Sequence, residues 1–137
     1  MRGVRRHASV IVRLEAKAAL ALGILLPTLE TCRRGMSEWG LDFTTMFTDY
    51  LAGALLLIGA WAAYWVRPWA DSWLLVAWGW VTGMMVMSFS DQLEGTIRNT
   101  STEPFNSLVL TIKFVLLSIS LLGLISSFQR GSLKRDA

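Results

Sequence analysis

The sequence is poor in the residues that most chemistry needs. It holds one cysteine, Cys32, and one histidine, His7, among 137 residues. A lone cysteine excludes an intrachain disulfide, and a lone histidine leaves no His/Cys set of the kind that holds zinc. Any metal would need carboxylates alone, so neither metal nor cofactor is expected. The recurrent catalytic signatures are missing as well: no glycine-rich phosphate loop, no serine nucleophile elbow, no HExxH and no CxxC. Charge is scarce, at 17% of residues against 53% hydrophobic, and the mean hydropathy is +0.46. A water-soluble helical fold would interrupt its apolar runs with a polar residue every turn, and this chain does not. The formal charge of +3 gathers at the two ends of the chain, which suits anionic lipid heads and argues against a nucleic-acid partner.

What the chain does have is long apolar runs. Residues 50–66, 73–89 and 108–125 each span 17 or 18 positions, close to the ~20 that cross a ~30 Å hydrocarbon core. A fourth run, 18–29, is shorter and is flanked by Glu15 and Lys17 on one side and Glu30 on the other. The fold expected is all-α: a single domain over residues 1–137, a polytopic membrane protein built as an antiparallel four-transmembrane-helix bundle with the bilayer as its first partner. The helices are expected over about residues 10–31, 44–66, 73–92 and 107–128, with basic tails 1–9 and 129–137.

The first segment has two readings. As a retained helix, Arg13 and Lys17 snorkel towards head groups and Pro27 kinks the last turn. As a signal peptide, AALALGILLP would be the apolar core after a basic region. Glu15 within that region and the lack of a small-x-small cleavage site favour the retained helix. Arg2, Arg5, Arg6, Arg13, Arg67, Arg130, Lys134 and Arg135 then share one side, against Arg33, Arg34 and Arg98 on the other. The positive-inside rule puts both termini in the cytoplasm.

Trp61, Trp65, Trp69 and Trp73 crowd the inner end of the second and third helices, where amphipathic rings favour the interface. Trp78 and Trp80 lie deeper, and either pack or stack on a flat ligand. For helix packing, Gly59-x-x-x-Ala63 and Gly79-x-x-x-Gly83 are the small-residue spacings that let backbones approach. The same spacings could serve a membrane-protein partner or a homo-oligomer.

The remaining polar residues gather at the expected outer ends. In DFTTMFTDYLAG, Asp42 can cap the second helix, and Asp42, Thr45, Asp49 and Gly53 recur at three- and four-residue steps, forming one stripe. Lys113 lies at matching depth on the fourth helix. An unpaired ammonium there costs a few kcal/mol or more, so it either snorkels outward or pairs with a carboxylate. Asp49 is the nearest candidate, with Glu30 and Asp91 as rivals. In SFSDQLEGTIR, Asp91 and Glu94 share a face and Arg98 stands four beyond Glu94, the favourable order for a helical ion pair. These carboxylates either bind a cation or proton or form a solvated, self-paired helix end. Glu30, Asp42, Asp49, Asp91, Glu94, Arg98 and Lys113 are therefore the ligand or ion-pair candidates, with Met84, Met85 and Met87 below them as an adaptable apolar wall.

The stretch Asp49-Tyr-Leu-Ala-Gly53-Ala-Leu-Leu-Leu-Ile-Gly59 and the short hairpin after it resemble the second helix of DoxX-type four-helix membrane proteins. The likeness covers about two dozen residues of the chain. The resemblance implies a bacterial inner-membrane protein associated with redox partners; Glu15, Lys17 and Pro27 in the first helix depart from that pattern. Together these features point to a small inner-membrane binding or accessory protein for a lipid-like ligand or a redox partner. Two other readings stay open. One is a membrane enzyme on an apolar substrate using the outer carboxylates. The other is a small proton- or cation-coupled carrier acting as an oligomer.

Overall fold

The computed structural model describes residues 2–34, 43–98 and 106–133. They form four helices: α1 (Arg2–Arg34), α2 (Phe43–Tyr64), α3 (Ala70–Ile97) and α4 (Asn106–Leu133). Three of them are long and apolar enough to cross a membrane, over Met46–Tyr64, Ala70–Ile97 and Asn106–Arg130. The helices run further than their apolar cores. α1 begins at Arg2 and α4 continues to Leu133, so most of the expected basic tails is helical. α3 reaches Ile97, because SDQLEGT contains no proline and Glu94 pairs with Arg98 at its last turn, which carries the helix through Gly95.

α2 stops at Tyr64 for a local reason. Val66 adopts φ +50°, which aims the Arg67 amide back at the Ala62 carbonyl (2.9 Å) and the Val66 amide at that of Ala63 (3.2 Å). This is a Schellman turn with valine where glycine is usual. The chain then needs only 65–69 to enter α3. Arg67 lies over the Trp61 ring, Trp61 meets Trp69 at a tilt of 38°, and Trp69 meets Trp73 edge-to-face at 73°.

The main packing pairs are α1 with α2 and α3 with α4, joined through α2 and α3; α1 and α4 touch more lightly. Each pair closes on a glycine. At the α1–α2 crossing, a Cβ on Gly53 would stand 2.7 Å from the Gly23 carbonyl oxygen and 3.1 Å from Pro27 Cδ. Pro27 has no N–H to give that carbonyl, four residues earlier in the helix. The Gly53 Cα–H is directed at it instead, a weak but usable hydrogen bond. Pro27 therefore sits inside α1 without breaking it. At α2–α3, Gly59 faces Leu74 and Trp73, and Trp73 Nε1 donates to the Leu55 carbonyl at 3.0 Å. At α3–α4, the fully buried Trp78 ring lies flat on Gly123, whose Cβ would fall 2.5 Å from it.

The burial pattern of α4 is inverted relative to a soluble helix. Its most buried residues are Ser120 and Ser127, while Leu108, Phe114, Leu122 and Phe128 are each more than half exposed. In water this arrangement would leave large apolar side chains wet around a core of hydroxyls. In a bilayer it is the expected one, since lipid tails solvate leucine as well as a protein core does.

Candidate functional site: two polar clusters at opposite ends of the bundle

At one end, all four helices line a half-open cavity of about 250 Å³. α1 contributes Leu26, Leu29 and Glu30; α2 contributes Thr48 and Asp49; α3 contributes Met84, Met85 and Ser88; α4 contributes Val109, Ile112, Lys113 and Leu116. Glu30, Asp49 and Lys113 are half-buried on this wall, so three of the residues singled out from the sequence share one space. Lys113 Nζ donates to Gln92 Oε1 (3.0 Å) and to the Ser88 carbonyl (3.2 Å). Gln92 Nε2 in turn donates to Asn106 Oδ1, and Asn106 Nδ2 to Thr96 Oγ1 at 2.9 Å. This chain of amides and hydroxyls ties the end of α3 to the start of α4 and holds the lysine in place. In the sequence Gln92 stands with Glu30, Asp49, Asp91, Glu94 and Lys113 among the polar residues at the outer helix ends, without an assigned partner, and Asn106 is not distinguished. Their signal was depth, since a lone lysine in an apolar helix needs acceptors, and a neutral amide supplies one as well as a carboxylate does.

The other candidates lie apart from the cavity. Asp91 is exposed, as are Glu94 and Arg98, which pair at 2.7 Å as a solvated helix-end ion pair. Asp42 lies outside the described residues. Gly79 and Gly83 are exposed and sit at no close helix approach: an added Cβ on Gly79 would meet only Leu124 of α4 at 4.0 Å, and one on Gly83 nothing within 4 Å. α3 turns Leu74, Trp78, Val81 and Met85 inward, and a helix cannot bury that stripe and the glycines together. Ala63 is partly buried against the core.

A second polar cluster occupies the opposite end. Glu15 of α1 is buried and accepts hydrogen bonds from Ser126 Oγ (3.0 Å), Ser127 Oγ and Arg130 Nη2 on α4. Arg130 also lies 3.6 Å from Asp71 on the first turn of α3. Read from the sequence, Glu15 was evidence against a signal peptide and Arg130 a member of a basic tail. The signal was present: SSxxR puts two hydroxyls and a guanidinium on one helical face, and a carboxylate inside an apolar helix requires a partner. Among the described residues, no group of three or more His, Cys, Asp or Glu is placed to hold a metal ion.

Comparison with family models, curated proteins and solved structures returns no significant match.

Proposed function

We propose that this chain is a multi-pass membrane protein of four spanning helices packed antiparallel, both termini cytoplasmic, whose cavity beside Lys113 binds a small amphipathic molecule. The inverted burial of α4 supports insertion. α1 fits a fourth span because Leu14, Leu20, Ile24, Leu25 and Leu29 are exposed, while Glu15 and Glu30 turn into the polar clusters. Contacts of Lys113 with Ser88 and Gln92, and of Arg130 with Asp71, favour alternating helix directions. The excess of basic residues near the termini supports their cytoplasmic side.

The observation that carries the binding reading is the cavity: an apolar wall drawn from every helix, with charge confined to Glu30, Asp49 and Lys113. Its volume, about 250 Å³, is just below the ~300–1,000 Å³ of drug-sized sites, so the ligand is small. The lining carries two carboxylates and one ammonium, so a cationic head group meets more groups of opposite charge there than an anionic one. In the inner-membrane setting that the DoxX-type resemblance implies, such a protein holds a lipid-like molecule for a membrane partner. The test is thermal stability with octylamine and with octanoate. Octylamine is expected to raise the melting temperature by linkage, octanoate is not, and Met84→Trp, which fills the cavity, is expected to remove the effect. Equal shifts with both compounds, or none with either, would refute the reading.

A further inference from the structure

Outside the cavity, the interior holds polar atoms that packing does not explain. Among the described residues, Trp78 Nε1, Thr82 Oγ1 and the Nε and Nη1 of Arg130 are buried without a hydrogen-bond partner, and the first two lie outside both polar clusters. Thr82 differs from six other helix hydroxyls. Thr28, Thr31, Thr96, Thr111 and Ser118 each donate to the carbonyl four residues back, and Ser120 to the one three back. Thr82, more than nine-tenths buried, does not. Leaving a buried donor unmade costs about 1–3 kcal/mol, and native interiors usually answer such groups with water.

Their positions form a series. Arg130 meets Asp71, the Trp78 ring lies on Gly123, and Lys113 meets the Ser88 carbonyl. At 1.5 Å per residue, Thr82 on α3 lies about 16 Å from Asp71 and Ser120 on α4 about 15 Å from Arg130, so the two hydroxyls are level. Met85 and Leu116, on the cavity wall, stand about one turn away on one side. Trp78 stands on the backbone about one turn away on the other, and Ser127, donating to Glu15, about one turn further. A single water accepting and donating at ~2.8 Å spans each such step.

We infer that water fills this α3–α4 seam and carries protons between the cavity carboxylates and the Glu15 cluster. A proton leaves Asp49 or Glu30 for the first water, and each transfer then breaks one O–H bond and forms the next. Thr82 and Ser120 accept and donate in turn. Trp78 Nε1–H only donates, so it fixes a water by its oxygen and leaves both that water's protons free to move. Ser127 receives a proton from that water as it gives its own to Glu15. Arg130 holds Glu15 in place, and Asp71, with 24% of its side chain exposed, opens the cluster outward. The inference uses the cavity's geometry and does not depend on the amphiphile.

The experiment is proton flux into proteoliposomes carrying a trapped pH-sensitive dye, driven by a potassium diffusion potential with valinomycin. Protein-dependent flux is expected, lowered about tenfold or more by Thr82→Val and by Ser120→Ala and unchanged by Gly83→Ala. Variants are accepted only with wild-type helicity and elution. Hydroxyl-radical labelling in nanodiscs is the second measurement: Trp78 is expected to be modified although fully buried, alongside the exposed Trp65. Flux no higher than in protein-free vesicles, flux that survives both substitutions, or a Trp78 that stays unlabelled while Trp65 reacts would overturn the inference.

Discussion

Replacing Gly53 with alanine adds one methyl group, and the structure fixes where it goes. It would stand 2.7 Å from the Gly23 carbonyl oxygen and 3.1 and 3.2 Å from Pro27 Cδ and Cγ. None of these atoms is the free end of a flexible side chain. Relief requires α1 and α2 to part by roughly half an ångström, and gaps of that size forfeit about a quarter of the contact energy across the affected surface. The Cα–H contact to the carbonyl that Pro27 leaves without an amide is lost as well. Overpacking of this kind costs about 1–3 kcal/mol, against a helix-propensity gain of about 1 kcal/mol for glycine to alanine. The net expectation is a loss of about 1–2 kcal/mol. The assay is equilibrium unfolding in mixed micelles of rising SDS fraction, followed by far-UV circular dichroism. Gly83→Ala is the control: nothing lies within 4 Å of its new methyl, so it should be neutral or stabilising. A Gly53→Ala protein as stable as the Gly83→Ala control would refute the close α1–α2 approach.

Two further predictions follow from the turn and from the buried pair. Val66 at φ +50° carries a strain of about 1–3 kcal/mol that glycine does not, less about 0.5–1 kcal/mol of glycine's entropy. Val66→Gly should therefore stabilise by about 1 kcal/mol in the same unfolding assay, and no gain would mean that the turn is not left-handed in solution. With Glu15 and Arg130 side chains 3% and 12% exposed, Arg130→Met leaves a buried carboxylate without its charge partner and should cost about 3–5 kcal/mol. The double change Glu15→Met with Arg130→Met should recover most of that loss, and simple additivity would show that the two groups do not interact.

Three helices were legible from hydropathy alone, because a run of about 17 apolar residues admits few other readings. The ends of the helices were less so. Arg2–Arg6 and Arg130 read as tails because charge was equated with solvent, yet the helix continues through them and Arg130 turns inward to Glu15. The carboxylates and the lysine at the cavity were found by the rule that ionisable groups in apolar helices need a reason. The same rule covers Glu15, which in the sequence lies between the snorkelling Arg13 and Lys17 and in the fold is paired with Arg130. The rotation of α3 was not legible. Small-residue pairs at four-residue spacing lie at Gly79/Gly83 and at Gly59/Ala63, and composition does not say which faces a neighbour. The decision falls to Trp78, whose ring needs a glycine opposite, and Gly123 on α4 supplies it.

Native mass spectrometry of the wild-type protein released from nanodiscs tests the central claim, a small amphiphile held beside Lys113. The account predicts one bound molecule of defined mass, lost in both Asp49→Asn and the cavity-filling Met84→Trp. A bare protein, or an adduct that survives Met84→Trp, would contradict it.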